Sequence, residues 1–339
     1  MRIALVTDAW HPQVNGVVRT LQRTTEELQA LGHQVLCVTP AQFRTAPCPS
    51  YPSIRLALFP GRGIARTLDA FAPTAVHIAT EGPLGLAARG WCRRGGLAFT
   101  TSYHTQFPEY VRLRAPVPVA LSYRFMRWFH GGAARTLVAT PSMRRSLAAH
   151  GFANLVIWSR GVDTELFRPR EKSFLDAPRP VSLYMGRVAV EKNIEAFLDL
   201  DLPGTRYVVG DGPDLEMLRR RHPRVRFTGF KFGEELARYL AAADVFVFPS
   251  RTDTFGLVML EAMAAGVPVA AYPVTGPVDV VREGVTGALR DDLAEAVSAA
   301  LRLDPAACRR HALSRTWRAA SRQFLGHLAL NPSMTPVQA

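Results

Sequence analysis

The sequence predicts an α/β protein with two parallel-sheet domains, on three observations. Short apolar, β-prone runs alternate with segments of helical spacing along both halves of the chain. Each half opens with a strand that runs into a glycine-bearing turn and then a helix. At 339 residues, 48% of them hydrophobic and 20% charged, the chain is long and apolar enough for two cores.

In the first half, Ile3–Thr7 and Gln34–Thr39 read as strands, joined by a helix over Val17–Leu31 that Gly32 ends. The loop His11–Gly16 leads straight into that helix, whose free N–H groups and partial positive charge suit a phosphate. Ala75–Ala79 is a third strand, with Thr80–Gly85 opening the helix after it. Leu97–Thr101 is a fourth, followed by the turn Ser102–Gln106. Both turns lie at C-terminal strand ends, where open α/β sheets bind ligands. Phe107 begins a stretch with Arg112 and Arg114 that reads as a mobile loop suited to touching lipid. The aromatic-rich Val119–His130 after it is a helix, either core or at a membrane interface. Thr136–Thr140, a helix to His150 and Leu155–Trp158 complete the half. The polar run from Phe167 to Pro180 is a linker, so the domains are expected at 1–168 and 169–316.

In the second half, Val181–Tyr184 is a strand and Ile194–Leu200 a helix. Arg187 and Lys192 flank that helix start and add two full positive charges to its dipole. A diphosphate asks for such a constellation, and a solvated basic turn is the plainer alternative. Arg206–Pro213 and Val225–Lys231 are strands with their turns, and Glu234–Ala242 is a helix. Asp244–Phe248 is then a buried strand, and Leu257–Ala265 a helix ended by Gly266 and Pro268. Between them Thr252–Thr254 can cap the helix, and Gly256 lets a ligand approach the backbone. Asp253 and Glu261 stand eight residues apart, two carboxylates fit for the vicinal hydroxyls of a sugar and a ribose. By themselves they fit a capping Asp and a solvated helix Glu better. Val267–Ala271 is a further strand, Trp317–Leu328 the final helix, and 331–339 a disordered tail.

The formal charge is +13 and unevenly placed. Residues 1–170 hold 20 arginines and no lysine against eight acidic residues, a net +12. An anionic partner is therefore expected on that side, a membrane surface in particular. The four cysteines form no C-x-x-C pair and show no metal spacing, so no metal is expected. Asp199-Leu-Asp201 spells D-x-D, but at a helix end beside Pro203, and is read as chance. Asp8 interrupts any signal-peptide core and no apolar run reaches the roughly 20 residues that span a bilayer. A cytoplasmic protein, resting on the inner face of the plasma membrane, is the expectation.

Several motifs carry a family resemblance from Arg2 to about Arg290. Asp253-Thr-Phe-Gly-Leu-Val-Met-Leu-Glu261 resembles the E-x7-E motif of retaining glycosyltransferases of the GT4 type, with Asp for the first Glu. The same Asp is found in the branch of GDP-mannose-dependent α-mannosyltransferases and sulfoquinovosyl transferases. Met185-Gly-Arg-Val-Ala-Val-Glu-Lys-Asn193 is similar to the family's G-R…K-N motif, Arg206-Tyr-Val-Val-Gly-Asp-Gly-Pro213 to its V-G-x-G-P signature, and Ser159-Arg-Gly-Val-Asp163 to the segment that closes its first domain. The resemblance implies the GT-B fold, two Rossmann-like domains with parallel sheets facing a central cleft, and a final helix, about 317–330, that crosses back to the first domain. It implies a metal-independent, retaining hexosyltransferase without a cofactor, whose donor is a nucleotide-diphosphate sugar, GDP-mannose first. UDP-glucose, UDP-glucuronate and UDP-sulfoquinovose remain open.

By the same resemblance Arg187 and Lys192 hold the phosphates and Glu261 the ribose, while Asp253 with the Phe255-Gly256-Leu257 backbone holds the sugar. Phe230 and Lys231 would pack the base, and Gly16 would approach the diphosphate. His104, by itself a plain structural histidine, matches the one placed beside the donor sugar, and Glu81 is an acceptor-side or general-base candidate. The acceptor is expected to be a lipid or glycan.

Two other classes fit the sequence less well. A nicotinamide-dependent oxidoreductase lacks its G-x-G-x-x-G. A basic nucleic-acid-binding protein is disfavoured because the arginines are scattered and follow no such motif, so no specific nucleic acid is expected.

Overall fold

The computed structural model describes residues 1–13, 15–48, 51–114 and 118–331. The chain forms two compact units, Met1–Ser159 together with the chain from Trp317 onward, and Arg160–Thr316. Arg160–Arg168 thus belongs with the second unit. Val162 N–H donates to Arg315 O (2.9 Å), and the Arg309 guanidinium donates to the carbonyls of Thr164 and Phe167.

The first unit runs β1 (Arg2–Val6), α1 (Gly16–Ala30), β2 (Gln34–Val38), β3 (Thr45–Cys48), β4 (Tyr51–Ala57), α2 (Gly61–Phe71) and β5 (Ala75–Ile78). It continues through α3 (Pro83–Arg94), β6 (Thr100–Tyr103), α4 (Phe107–Arg114), α5 (Val119–Gly131), β7 (Arg135–Val138), α6 (Pro141–Ala149) and β8 (Leu155–Ile157). Its sheet has the order β2-β1-β5-β6-β7-β8 and every pairing in it is parallel. A strand covered on both faces must be apolar throughout, and β1 shows this residue by residue. Ala4 and Val6 pack under α2 and α3 with Ile64, Leu68 and Leu84, whereas Ile3 and Leu5 pack on the other face with Leu21 and Leu28 of α1.

The second unit holds β9 (Val181–Met185), α7 (Glu195–Leu198), β10 (Thr205–Val209), α8 (Leu215–Arg221), β11 (Arg226–Phe227) and α9 (Gly233–Ala241). Then come β12 (Val245–Phe248), α10 (Leu257–Ala264), β13 (Val269–Ala271), α11 (Pro277–Val280), β14 (Gly287–Leu289), α12 (Leu293–Ala300) and α13 (Pro305–Leu313). Its sheet, β11-β10-β9-β12-β13-β14, is again wholly parallel. The last helix, α14 (Trp317–His327), packs on the first unit, where Phe324 and Leu328 join the cluster of Ile3, Leu5 and Leu21.

The structure departs from the expectations in several places. An antiparallel β3–β4 hairpin and α2 occupy residues to which the pattern assigned nothing. β6 runs on to Tyr103, and its polar sequence is buried because its hydroxyls are bonded. Thr100 and Ser102 take the two nitrogens of the buried His77 at 2.9 and 2.8 Å. The expected loop after Gln106 is the helix α4 instead, tied to α5 by the Tyr123 hydroxyl donating to Glu109 (2.6 Å); residues 115–117 lie outside the described ones. α5 is core on one side, through Tyr123, Met126 and Phe129, and exposes Leu121 and Trp128 on the other. The expected tail is anchored at its first residue, Asn331, whose side chain exchanges two hydrogen bonds with the Ala98 backbone; 332–339 lie outside the described residues. Among the described residues no helix is long and apolar enough to cross a membrane.

Candidate active site

In each sheet the strand order reverses once, between β9 and β12 in the second and between β1 and β5 in the first. Chain segments leaving two such strands turn opposite ways, so a crevice opens at their C-terminal ends. β9 and β12 pair at two positions where β9 and β10 pair at five, and the turns beyond them are left to meet through side chains.

Those turns carry Arg187, Lys192 and Asp253. Lys192 Nζ donates to Asp253 Oδ1 at 2.6 Å, an ion pair across the reversal point with both side chains about one-fifth exposed. Two further bonds cross the same gap, Asn193 Nδ2 to Pro249 O (3.0 Å) and Thr252 Oγ1 to Glu191 O (3.1 Å). Asn193 takes a left-handed conformation (φ 51°), which its short amide side chain tolerates. The Tyr184 hydroxyl donates to Arg187 O (2.6 Å) and fixes the base of the turn. Burial holds the Arg187 guanidinium below its ordinary pKa, with Glu191 acting against the shift; the group remains a cation.

Three expectations change here. Asp253 does not cap α10, whose N-cap is Gly256 without a side-chain bond, and it serves the lysine instead. Glu261 is not on a solvated face. It is 4% exposed in a helix apolar on every side, the one carboxylate in the sequence LVMLEAMA. The helix expected over Ile194–Leu200 is present but shorter, the four residues of α7, and Lys192 belongs to a separate 3-10 turn, Val190–Lys192, that Asn193 ends. The positive charge at this edge therefore comes from side chains rather than a helix dipole. Gly256 answers to the fold, since it sits at φ 81° and a Cβ there would come within 2.6 Å of Met259 Cε. Phe255 and Leu257 are buried, which leaves their backbone for any ligand.

β11 lies two strands from β9, roughly 10 Å along the edge. Phe230, just beyond it, is exposed and stacks on the exposed Phe232 (centroids 5.8 Å apart). Lys231 Nζ turns away from this pair to Glu235 (2.6 Å) and the Tyr239 ring.

The first unit brings Gly16, Glu81 and His104 to the ends of three neighbouring strands, β1, β5 and β6. Gly16 is exposed at the first position of α1. The N–H groups of Val17 and Val18, expected to await a phosphate, go to Asn15 Oδ1 (3.0 Å each). His104 is half-buried, edge-on to Trp158. Glu81 Oε1 meets Nε2 of the fully buried His130 at 3.1 Å. Asp8, across the β1/β5 reversal, accepts from Thr80 Oγ1, Leu84 N–H and Gly85 N–H at 2.9, 2.9 and 3.3 Å. Burial pushes its carboxyl above the ordinary range, against those hydrogen bonds. Neither His130 nor Asp8 was singled out from sequence. Asp8 directly follows a strand, a usable signal, whereas His130 is at the end of an aromatic helix and only tertiary packing gives it a partner.

Comparison with known proteins identifies the family. Residues 179–303 match the family model "Glycosyl transferases group 1" and residues 14–166 the model "Glycosyltransferase Family 4". The GDP-mannose-dependent alpha-mannosyltransferase of Mycobacterium tuberculosis is 30% identical over 96% of both chains, and that of Mycolicibacterium smegmatis is 32% identical, also over 96% of both. Sulfoquinovosyl transferase SQD2 of Arabidopsis thaliana is 33% identical over 85% of this chain and 63% of its own. Among solved structures, Anabaena HepE in complex with UDP and glucose has TM-score 0.71 at 16% identity, covering 96% of this chain and 98% of its own. Sucrose-phosphate synthase from Thermosynechococcus elongatus has TM-score 0.74 at 24% identity, covering 96% and 97%. Two wholly parallel sheets, the motifs on their edges and relatives matched along nearly their whole length place this chain in glycosyltransferase family 4, with the GT-B fold.

Proposed function

We propose that the chain transfers an α-mannosyl group from GDP-mannose to a lipid or glycan acceptor, with retention of configuration and without a metal. The observation that carries this is the Lys192–Asp253 ion pair across the reversal point of the second sheet, with Arg187 on the turn before Lys192. The nucleotide preference is supported by the mannosyltransferase relatives at 30 and 32% identity. In this reading Arg187 and Lys192 neutralise the diphosphate as it leaves, an electrostatic task suited to cations already fixed in place. An ammonium has three donors, so Lys192 keeps Asp253 while it meets a phosphate oxygen. Asp253 is thereby oriented with one oxygen for the sugar hydroxyls, and Glu261 accepts from the ribose. The bond from the sugar's anomeric carbon to the diphosphate breaks as the acceptor oxygen bonds on the same face. The acceptor proton passes to a base as that bond forms, and the diphosphate leaves as an anion neutralised by the two cations. Phe230 with Phe232 is an aromatic shelf for the base.

A UDP-sugar donor, glucosyl, glucuronosyl or sulfoquinovosyl, is the second reading, favoured by the similarity to the sulfoquinovosyl transferase. A thermal-shift screen of these nucleotide sugars separates the two. At about 100 times its dissociation constant the true donor adds roughly 2.7 kcal/mol of stability, a rise of several degrees. The rise is expected with GDP-mannose and unchanged in a chelator. A shift with no nucleotide sugar at all sinks the proposal, and a shift abolished by the chelator sinks metal independence.

The lipid acceptor would be met at an anionic membrane surface on the inner face of the plasma membrane. The net +12 of residues 1–170 and the exposed Leu121 and Trp128 of α5 support this contact. The chain should sediment with vesicles containing about one-third anionic lipid and stay in solution with neutral ones. Equal binding to both would remove the electrostatic account.

A further inference from the structure

The turn that carries Glu81 is held more rigidly than a loop at a sheet edge needs to be. Its backbone is clamped from below by Asp8. Besides the three bonds it accepts, the Asp8 N–H donates to Thr80 Oγ1 at 2.6 Å. A Cβ at Gly82 would come within 2.4 Å of the Asp8 carboxyl carbon, so the residues on either side of Glu81 have one place to be. The Glu81 side chain is held as well, by a partner that cannot move. His130 is completely buried, and its carbonyl receives Asn154 Nδ2 at 3.0 Å.

For a neutral imidazole facing a carboxylate, the hydrogen-bond directions along this line follow one from the next. A carboxylate only accepts, so His130 Nε2 carries the proton it offers to Glu81. Nδ1 then accepts from the Thr101 hydroxyl at 2.9 Å, and Thr101 in turn accepts from the Thr136 hydroxyl at 3.0 Å. Every donor in the row is used once. The end of the row is a Glu81 side chain still one-fifth exposed, at the C-terminal end of β5 beside the strand order's reversal. Its carboxylate has lone pairs to spare after one bond from the imidazole. Orienting a surface carboxylate through a buried histidine costs stability and makes sense where that carboxylate has a ligand to meet. A fixed acceptor of hydrogen bonds suits a hydroxyl.

We propose that Glu81 accepts the hydrogen bond of the acceptor's reacting hydroxyl, and that His130 is the positioning residue that aims it. The inference rests on the glycosyltransferase reading above. In this arrangement the attacking oxygen keeps its proton until the sugar bond forms and then gives it to the Glu81 carboxylate, which sets its direction. Misplacing an attacking group by about 1 Å costs on the order of 100-fold, while binding of the donor is untouched.

The test uses the full chain with GDP-mannose, and follows release of GDP with dioctanoylglycerol, with octyl α-mannopyranoside and with water alone as the attacking hydroxyl. Glu81→Gln and His130→Ala are each expected to lower turnover about 100-fold in whichever of these reactions the wild type performs. The GDP-mannose thermal shift should stay that of the wild type. His130→Gln, whose amide can offer Glu81 the same N–H, should recover at least one-tenth of the activity. Full activity of Glu81→Gln overturns the proposal, as does a loss of donor binding that matches the loss of turnover. Failure of His130→Gln to exceed His130→Ala removes the positioning role. A wild type that binds no nucleotide sugar fails in the thermal-shift arm, which marks the failure of the glycosyltransferase chemistry rather than of this pair.

Discussion

Lys192→Ala should lower kcat about 10³-fold, in the range found when a preorganised donor to a developing charge is removed. The lysine ends a 3-10 turn at the edge of β9, with Nζ 2.6 Å from Asp253. Two roles converge on that atom. It supplies positive charge where the diphosphate leaves, and it holds the carboxylate that receives the sugar. The folded chain should lose roughly 1 kcal/mol, since the pair is partly solvated and bonds from Asn193 and Thr252 still join the same two turns. Lys192→Arg keeps the charge but replaces a compact ammonium with a planar fork, and should recover part of the rate. The double variant Lys192→Ala/Asp253→Ala should be little slower than Lys192→Ala, because the aspartate acts through the lysine. Turnover of Lys192→Ala within tenfold of the wild type, with the donor still bound, would remove the leaving-group role.

Much of this arrangement was legible beforehand, and the reasons differ by element. β1, β9 and β12 are runs of apolar residues with no alternation, the pattern of strands covered on both faces, and they were placed to within a residue. β6 was cut short because Ser102 reads as a turn former, and only its bond to His77 makes it a buried strand residue. α4 was missed for a related reason. Its prolines and arginines look like loop, and the bond from Tyr123 to Glu109 that ties it down comes from another helix. At the candidate site the sequence points to particular residues but not to their environment. Asp253 and Glu261 were both singled out, yet the first is an ion-pair partner rather than a cap and the second is buried rather than solvated. The helix pattern around Glu261 did carry a warning, since a segment apolar on all sides cannot present one face to water. His130 had no warning in the sequence, because its role exists only once α5 is laid against β5 and β6.

Glu261 provides the sharper test of the donor site, because its two expected effects run in opposite directions. A carboxylate that is 4% exposed inside an apolar helix was removed from water, at a cost of several kcal/mol before its partners are counted. Replacing it with Gln removes the charge and keeps the shape, so the folded chain should be as stable as the wild type or more so. Function should move the other way. A charged acceptor paired with two ribose hydroxyls contributes about 1.5–3 kcal/mol per bond, and an amide oxygen recovers a fraction of that. The dissociation constant for GDP-mannose should rise about 100-fold, with an equal loss in kcat/KM. Free mannose should compete no worse than before, because it has no ribose for this residue to meet. A stabilised protein that has lost its donor separates recognition from folding in a way no truncation of a core residue can. If Glu261→Gln binds GDP-mannose normally, the carboxylate belongs to the packing of α10 and the ribose must be held elsewhere.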